Sequence, residues 1–418
     1  MGSQTMSQTD VGQTVFVARQ PIFGEGQSTH AYELLFRSGL ENCCAAMDGD
    51  RATLDVIANT FLEIGLDELT AGKPCFINFT RRLIVERTPR LLPPELVVVE
   101  LLEDIEPDDE VIAACRELKS AGYSLALDDF VWADRGHPLL DVADIVKVDF
   151  MDTTPEQRAQ IAEGLVGRGI RALAEKVETQ QEYRHAKEAG YTYFQGYFFS
   201  KPVIREGKAL EGNRLAFLQM LQELHRPDLS YDQLEAAIRQ DVSLTFGLLK
   251  FINSAWFSLK HHVESIHHAL VLLGPQELRK WFALVRLRNI ASDKPNELVM
   301  QALTRARMAE GLSEAVGMEE CSSDLFLMGM FSMLDALLDM AIPEILSRLS
   351  INPQIKSALL GEPCLFRKVH DVVLALERAD WPAFESHAAA LDLREDVAQS
   401  VFARSVKWAT DAFAVAAM

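Results

Sequence analysis

Between Val15 and Pro202, short β-branched or aromatic runs alternate with longer amphipathic stretches. That alternation restricts the first half of the chain to a small set of folds. The runs are VFVA, HAYELLF, CFINF, LVVVEL, SLALD, IVKVD, IRALAEKV and YTYFQG. They are apolar without strict alternation, as strands of a parallel sheet covered on both faces must be. Between them lie helix-like segments such as DEVIAACRELKSAG and TQQEYRHAKEAG, each ending in glycine, a common helix stop. About eight strands in just under 200 residues fit a compact (β/α)8-like barrel better than an open sheet.

Beyond Pro202 the period changes. REGKALEGNRLAFLQMLQELHRP reads as a connecting helix, and almost every later segment has helical spacing. Asp241 is placed to cap VSLTFGLLKF, and Pro275 to open the helix after Gly274. The expected fold class is therefore α/β plus all-α. Its parts are a tail over 1–14, a barrel over 15–204, a linker helix over 205–225 and a helical domain over 226–418. The polar opening MGSQTMSQTDVGQT lacks the apolar region of a signal peptide and reads as flexible.

Nearly every strand of the first half closes on a polar group. The candidates are Glu33, Asn78, Glu100 with Glu103, Asp128 with Asp129, Lys147 with Asp149, Glu175 with Glu178, and Gln195. In a parallel barrel every strand C-terminus opens on one face, so these groups converge. Several carboxylates, a carboxamide and a lysine form a hard oxygen cage suited to Mg²⁺ or Mn²⁺. Adjacent carboxylates such as Asp128 and Asp129 repel, and divalent cations would hold them together. Such a cage, with a lysine beside it, suits water attack on a phosphodiester. Any one of these residues alone is more often a strand-end cap or a surface charge. The joint pattern is what favours a metal site.

The formal charge of −20, from 61 acidic and 41 basic residues, works against binding a nucleic-acid backbone. A small nucleotide held by local groups or a metal stays compatible with it. None of the six cysteines makes a CxxC pair, so reduced thiols in the cytoplasm are expected. No stretch reaches the roughly 18 charge-free apolar residues of a membrane helix. LFLMGMFSMLDALLDMAIPEIL carries Asp335, Asp339 and Pro343, and reads as buried core helices.

The motifs over Val15 to Pro202 resemble the EAL-domain family, cyclic di-GMP phosphodiesterases built on a modified TIM barrel. RQPIF looks like the family's entry motif and places Gln20 by the base. YELLFR stands at the Glu-Ala-Leu signature, with Leu34 in place of alanine. The resemblance implies Glu33, Asn78, Glu100, Asp128 and Asp129 as metal ligands and Arg37 as a phosphate contact. It implies that Lys147 orients or activates water, that Glu103 braces the loop after the paired aspartates, and that Glu175 and Gln195 complete the site. The implied reaction opens cyclic di-GMP to linear pGpG. One segment departs from the family: where a Phe-Gly-Thr-Gly run is usual, this chain has Phe130-Val131-Trp132-Ala133-Asp134. Valine and tryptophan do not supply the positive φ that glycine allows. Three readings therefore stay open: a metal-dependent phosphodiesterase, a weak or inactive EAL domain that serves as receptor or scaffold, and a pure interaction protein that no longer binds nucleotide, against which Gln20, Arg37 and Gln195 speak.

DVSLTFGLLKFINSAWFS, ESIHHALVLLGPQELRKWF and LMGMFSMLDALL resemble the HDOD family, an output module related to HD hydrolases. Ser332-Met333 stands where a hydrolase would carry His-Asp, and LTRARMAEG offers no histidine, so hydrolysis is not expected there. His261, His262, His267 and His268 read as solvated rather than metal-binding, because adjacent helical residues do not face each other. EAL followed by HDOD is the order of YuxH-like bacterial signalling proteins. It implies a protein partner for the helical domain and leaves a homodimer open.

Overall fold

A computed structural model describes residues 15–38, 66–129, 137–200, 248–249, 251–253, 263, 265–290, 294–349 and 351–416. The tail over 1–14, the linker helix over 205–225, the cap Asp241, His261, His262 and the segment Phe130 to Asp134 lie outside these residues.

The eight expected strands form. They are β1 (Val15–Gly24), β2 (Thr29–Ser38), β3 (Cys75–Phe79), β4 (Val97–Leu101), β5 (Ser124–Leu127), β6 (Ile145–Asp149), β7 (Arg171–Glu175) and β8 (Tyr193–Gln195). They close into a barrel in sequence order. From β2 to β8 each neighbouring pair is parallel, but β1 is antiparallel to both β2 and β8. This corrects the expectation of a uniformly parallel sheet. Only Glu25 to Ser28 join β1 to β2, and a parallel pair needs a crossover of roughly a dozen residues or more. The short loop closes as a hairpin instead. The Gly24 N–H donates to the Ser28 carbonyl (3.0 Å) and the Gln27 N–H to that of Gly24 (3.0 Å), with Gln27 in the left-handed region at φ 57.

Five helices belong to the barrel half among the described residues: α1 (Leu66–Thr70), α2 (Arg81–Val85), α3 (Asp109–Ser120), α4 (Pro155–Val166) and α5 (Gln180–Ala189). The glycine stops act as the sequence suggests. Asp108 caps the start of α3 by accepting from the Val111 N–H (2.9 Å), and Gly122 follows its end at φ 96. Thr179 and Glu182 form a capping box on α5, and Gly190 ends it at φ 101.

Inside the barrel one layer is apolar: Ile22, Ala31, Phe76, Val98, Ala126, Ile145, Leu173 and Tyr193, one residue per strand. Side chains of a strand return to the same face every second residue. Two positions along from each of these plugs, towards the mouth, stand Gln20, Glu33, Asn78, Glu100, Asp128, Lys147, Glu175 and Gln195. For β1 the step runs backwards, from Ile22 to Gln20, because that strand is reversed. The apolar layer closes the barrel beneath, and the polar layer above it becomes the floor of the mouth.

The second half is helical throughout its described residues. The run α6 (Ile266–Ile290) breaks at Gly274 (φ 70, ψ 170), where Pro275 begins the next helix as its position suggests. There follow α7 (Asn296–Gly311), α8 (Ser322–Phe331), α9 (Leu334–Leu338), α10 (Ile342–Ser347), α11 (Pro353–Leu359), α12 (Leu365–Glu377), α13 (Trp381–Ala389) and α14 (Glu395–Ala416). The methionine-rich run is core, with Met328, Met330 and Met333 buried, while His267 and His268 are exposed. Among the described residues no helix is long and apolar enough to cross a membrane.

A barrel strand needs cover on its outer face, and a hairpin between β1 and β2 supplies no helix to provide it. The helical half fills that place. α12 and α14 pack on β1, and one continuous apolar cluster runs through both halves. Polar bonds fix the seam. The buried carboxylate of Glu297, in the first turn of α7, accepts from Tyr32 Oη (2.9 Å) and Thr29 Oγ1 (3.0 Å). Gln399 Nε2 donates to the Val17 carbonyl (3.2 Å). The Arg19 guanidinium lies 4.6 Å from the centre of the Tyr32 ring and donates to the Leu69 carbonyl (2.6 Å). Tyr32→Phe should cost the full-length chain about 1–3 kcal/mol, because it leaves a buried carboxylate short of one donor. Denaturant midpoints measure this, and a loss below about 0.5 kcal/mol would show that the seam is not held there.

Candidate functional site

The mouth is built around one ammonium group. Lys147 is 1% exposed, and its Nζ lies 2.8 Å from Glu175, 2.9 Å from Asp128 and 3.3 Å from Glu33. It also pairs closely with Glu100, which is fully buried. Four acids from β2, β4, β7 and the end of β5 thus face one lysine from β6. Burial alone would strip the proton from Lys147, but Glu100, Glu33, Glu175 and Asp128 hold its pKa well above the ordinary lysine value. One ammonium cannot balance four carboxylates in a low-dielectric floor. Burial pushes Glu100 well above its ordinary range, with Glu33 and Asp128 adding to the shift against the pull of Lys147. Glu175 is pushed up to about 8 by burial, again opposed by Lys147 and reinforced by Glu33 and Asp128. The cluster is short of positive charge.

Several oxygens are also short of partners. Among the described residues, Asn78 Oδ1, Glu100 Oε2 and Gln195 Oε1 are buried without a hydrogen-bond donor. A buried acceptor without a donor is costly, and a cation supplies what these oxygens lack. One oxygen each of Asp128, Asp129 and Glu175 lie within 4.8 Å of one another, close enough to share an ion. Asp129 is exposed, sits in the left-handed region at φ 41, and donates its N–H to Asp128 Oδ1 (3.1 Å). Partial desolvation by the surrounding mouth and the neighbouring Asp128 raise its pKa. The donor set therefore fits hard divalent cations.

Most residues expected from the sequence converge here. Gln195 Nε2 donates to Glu33 Oε2 (2.6 Å) and to Gln20 Oε1 (2.8 Å), which brings Gln20 into the same network. Arg37 lies near the end of β2, and its side chain is outside the described residues. Glu103 is exposed beyond the end of β4, and the loop it is expected to brace is the segment that is not described. Glu178 points elsewhere: it is exposed, and its N–H donates to Glu182.

Two features escaped the sequence. Lys176, one residue past Glu175, pairs with Asp149 and bears electrostatically on Asp129. A lysine just past a strand reads as surface, and only the register of β6 against β7 places it there. Gly196 is the other. A Cβ on it would stand 2.2 Å from the Val177 carbonyl oxygen, and its φ is 137. No bulkier residue could follow Gln195 in that space.

Ser332, where the resemblance to HD hydrolases would expect a histidine, is tied to a buried arginine of the helical half. Arg305, buried in α7, donates twice to Glu377 (2.7 Å each) and once to Ser332 Oγ (3.0 Å). A Cβ on Gly329 would meet the Arg305 carbonyl at 2.5 Å, so α7 and α8 touch backbone to backbone there.

Known proteins divide the chain in the same way. An EAL domain model matches residues 16–202 and an HDOD domain model matches residues 215–350. YuxH of Bacillus subtilis, itself uncharacterized, is 37% identical over 402 residues, covering 94% of this chain and 98% of that one. The cyclic di-GMP phosphodiesterase CdgJ of Vibrio cholerae is 37% identical over 407 residues, covering 96% of this chain and 94% of CdgJ. The chain belongs to this EAL–HDOD family. Among solved structures, the calcium/cy-diGMP complex of Klebsiella pneumoniae BlrP1 is 27% identical with a TM-score of 0.39. It aligns with 47% of this chain and 58% of BlrP1, so the chain spans a little over half the length of that protein. Within the EAL–HDOD frame, the charge-starved floor is the EAL half's mouth, and the Arg305 cluster lies in the HDOD half.

Two measurements probe the floor. Lys147→Met leaves four acids facing one another and should destabilise the metal-free chain by about 3–5 kcal/mol, with added Mn²⁺ offsetting part of the loss. The raised pKa of Glu175 means that folding favours its protonated form. That contribution is complete below its ordinary value of 4.5 and fades as pH rises towards about 8. Mn²⁺ should therefore raise Tm more at pH 8 than at pH 6. Equal shifts at the two pH values would contradict a proton retained on Glu175.

Proposed function

We propose that the EAL half binds cyclic di-GMP at this mouth with Mg²⁺ or Mn²⁺ and hydrolyses it to linear pGpG. The observation that carries the proposal is the eight-membered polar layer, in which acids outnumber the single lysine and oxygens lack donors. When bound, divalent cations would lower the pKa of water and neutralise charge on the phosphodiester. Glu33, Asn78, Glu100, Asp128 and Asp129 would hold them, and Glu175 shares the last corner. Lys147 has its ammonium directed at Glu33, Glu100, Asp128 and Glu175. With those acids engaged by cations, Lys147 would have N–H groups free to orient a water beside the phosphate. Gln20 and Gln195 form the wall against a base, Arg37 belongs to the phosphate side, and Glu103 supports the loop past Asp129.

A second reading keeps nucleotide binding and drops turnover. Phe130-Val131-Trp132-Ala133-Asp134 favours it, since valine and tryptophan do not supply the positive φ that glycine allows. In both readings 15–204 senses the nucleotide and 226–418 passes its state to a protein partner, with two copies able to pair. The buried thiols of Cys75 and Cys115 suit a reducing cytoplasm.

The test is direct. The full-length chain is incubated with cyclic di-GMP and Mn²⁺ or Mg²⁺, and pGpG is followed by chromatography. Turnover that falls by about a hundredfold in Glu33→Ala supports hydrolysis. Tight binding with no product in either protein supports the receptor. Neither binding nor product removes the nucleotide from the reading altogether.

A further inference from the structure

The chain past residue 350 lies outside both domain matches, yet one corner of it reaches the barrel mouth. α12 ends at Glu377, the chain turns at Arg378 and Ala379 (φ 56), and α13 begins. The Arg378 carbonyl accepts from Gln20 Nε2 at 3.4 Å. Gln20 in turn accepts from Gln195, which donates to Glu33. A line of hydrogen bonds thus runs from the C-terminal helices to a proposed metal ligand.

The side chain of Arg378 is placed just as pointedly. Its guanidinium carbon lies 5.6 Å from the centre of the Tyr197 ring, within cation–π range. Tyr197 is two residues past Gln195 at the same end of the barrel. The corner is firmly held, because Glu377 is clamped by the buried Arg305. Arg378 itself is exposed. Lys147 and Lys176 both face carboxylates, and the whole chain carries −20, so a nucleotide entering this mouth needs donors from the rim.

We propose that Arg378 is a nucleotide-binding residue lent to the EAL half by the C-terminal helices, and that its guanidinium reads the edge of the guanine that Gln20 faces. A guanidinium matches the O6 and N7 acceptors of guanine in a bidentate fork, whereas adenine sets an amino donor at the first position. Stacking on Tyr197 keeps the fork in plane. The C-terminal helices then set affinity and base selectivity as well as covering β1. This rests on the barrel mouth being the nucleotide site.

The experiment compares full-length wild type with Arg378→Ala and Arg378→Lys, titrated with cyclic di-GMP and separately with cyclic di-AMP in the presence of calcium. Arg378→Ala should weaken cyclic di-GMP by about tenfold or more and cyclic di-AMP by less than about threefold, narrowing the preference. Arg378→Lys should recover only part of the loss, and the melting temperature of both variants should match wild type. Equal weakening of both nucleotides, or no weakening, overturns the assignment while leaving the nucleotide site intact. Wild type that binds neither nucleotide overturns the mouth as a nucleotide site and Arg378 with it.

Discussion

Lys147 among four acids is the interaction on which the mouth depends. Its ammonium lets the buried side chains of Glu33, Glu100 and Glu175, with Asp128, stand close together. The cost of gathering them is met in part by the ammonium and in part by protons retained on the acids. This is a floor held in readiness. The ammonium and the retained protons keep these acids at a separation that repulsion would otherwise widen.

Much of this was legible in the sequence, for a geometric reason. A barrel brings all its strand ends to one place, so a polar residue at the end of every apolar run is a statement about convergence even without coordinates. Glu33, Asn78, Glu100, Asp128, Lys147, Glu175 and Gln195 meet as that logic requires. The direction of β1 was less visible. VFVA looks like any buried strand, and the four-residue join after Gly24 had to be weighed against the strong parallel signal of the other seven. Lys176 was hidden because its partner Asp149 lies on another strand. The contacts between the halves were beyond reach, since nothing in a helical period says which face of α12 or α14 meets which strand.

The two halves are less separable than the order of domain matches suggests. A hairpin at the start of the barrel leaves an outer face bare; α12 and α14 cover it with apolar residues and the Gln399 bond, and Glu297 of α7 adds a buried polar bond to Tyr32. The Arg305–Glu377 pair does related work between α7 and α12: it ties the two helices together and stiffens the turn that meets Gln20.

The reversal of β1 has a mechanical consequence. The same ten-residue ribbon offers Gln20 inward to the pocket and Val17 and Arg19 outward to α1 and the C-terminal helices. A tilt of those helices by a fraction of an ångström would therefore tug on the pocket wall directly, with no relay through the barrel's depth. In a seam strand of this kind, grip and sensor are one piece of backbone.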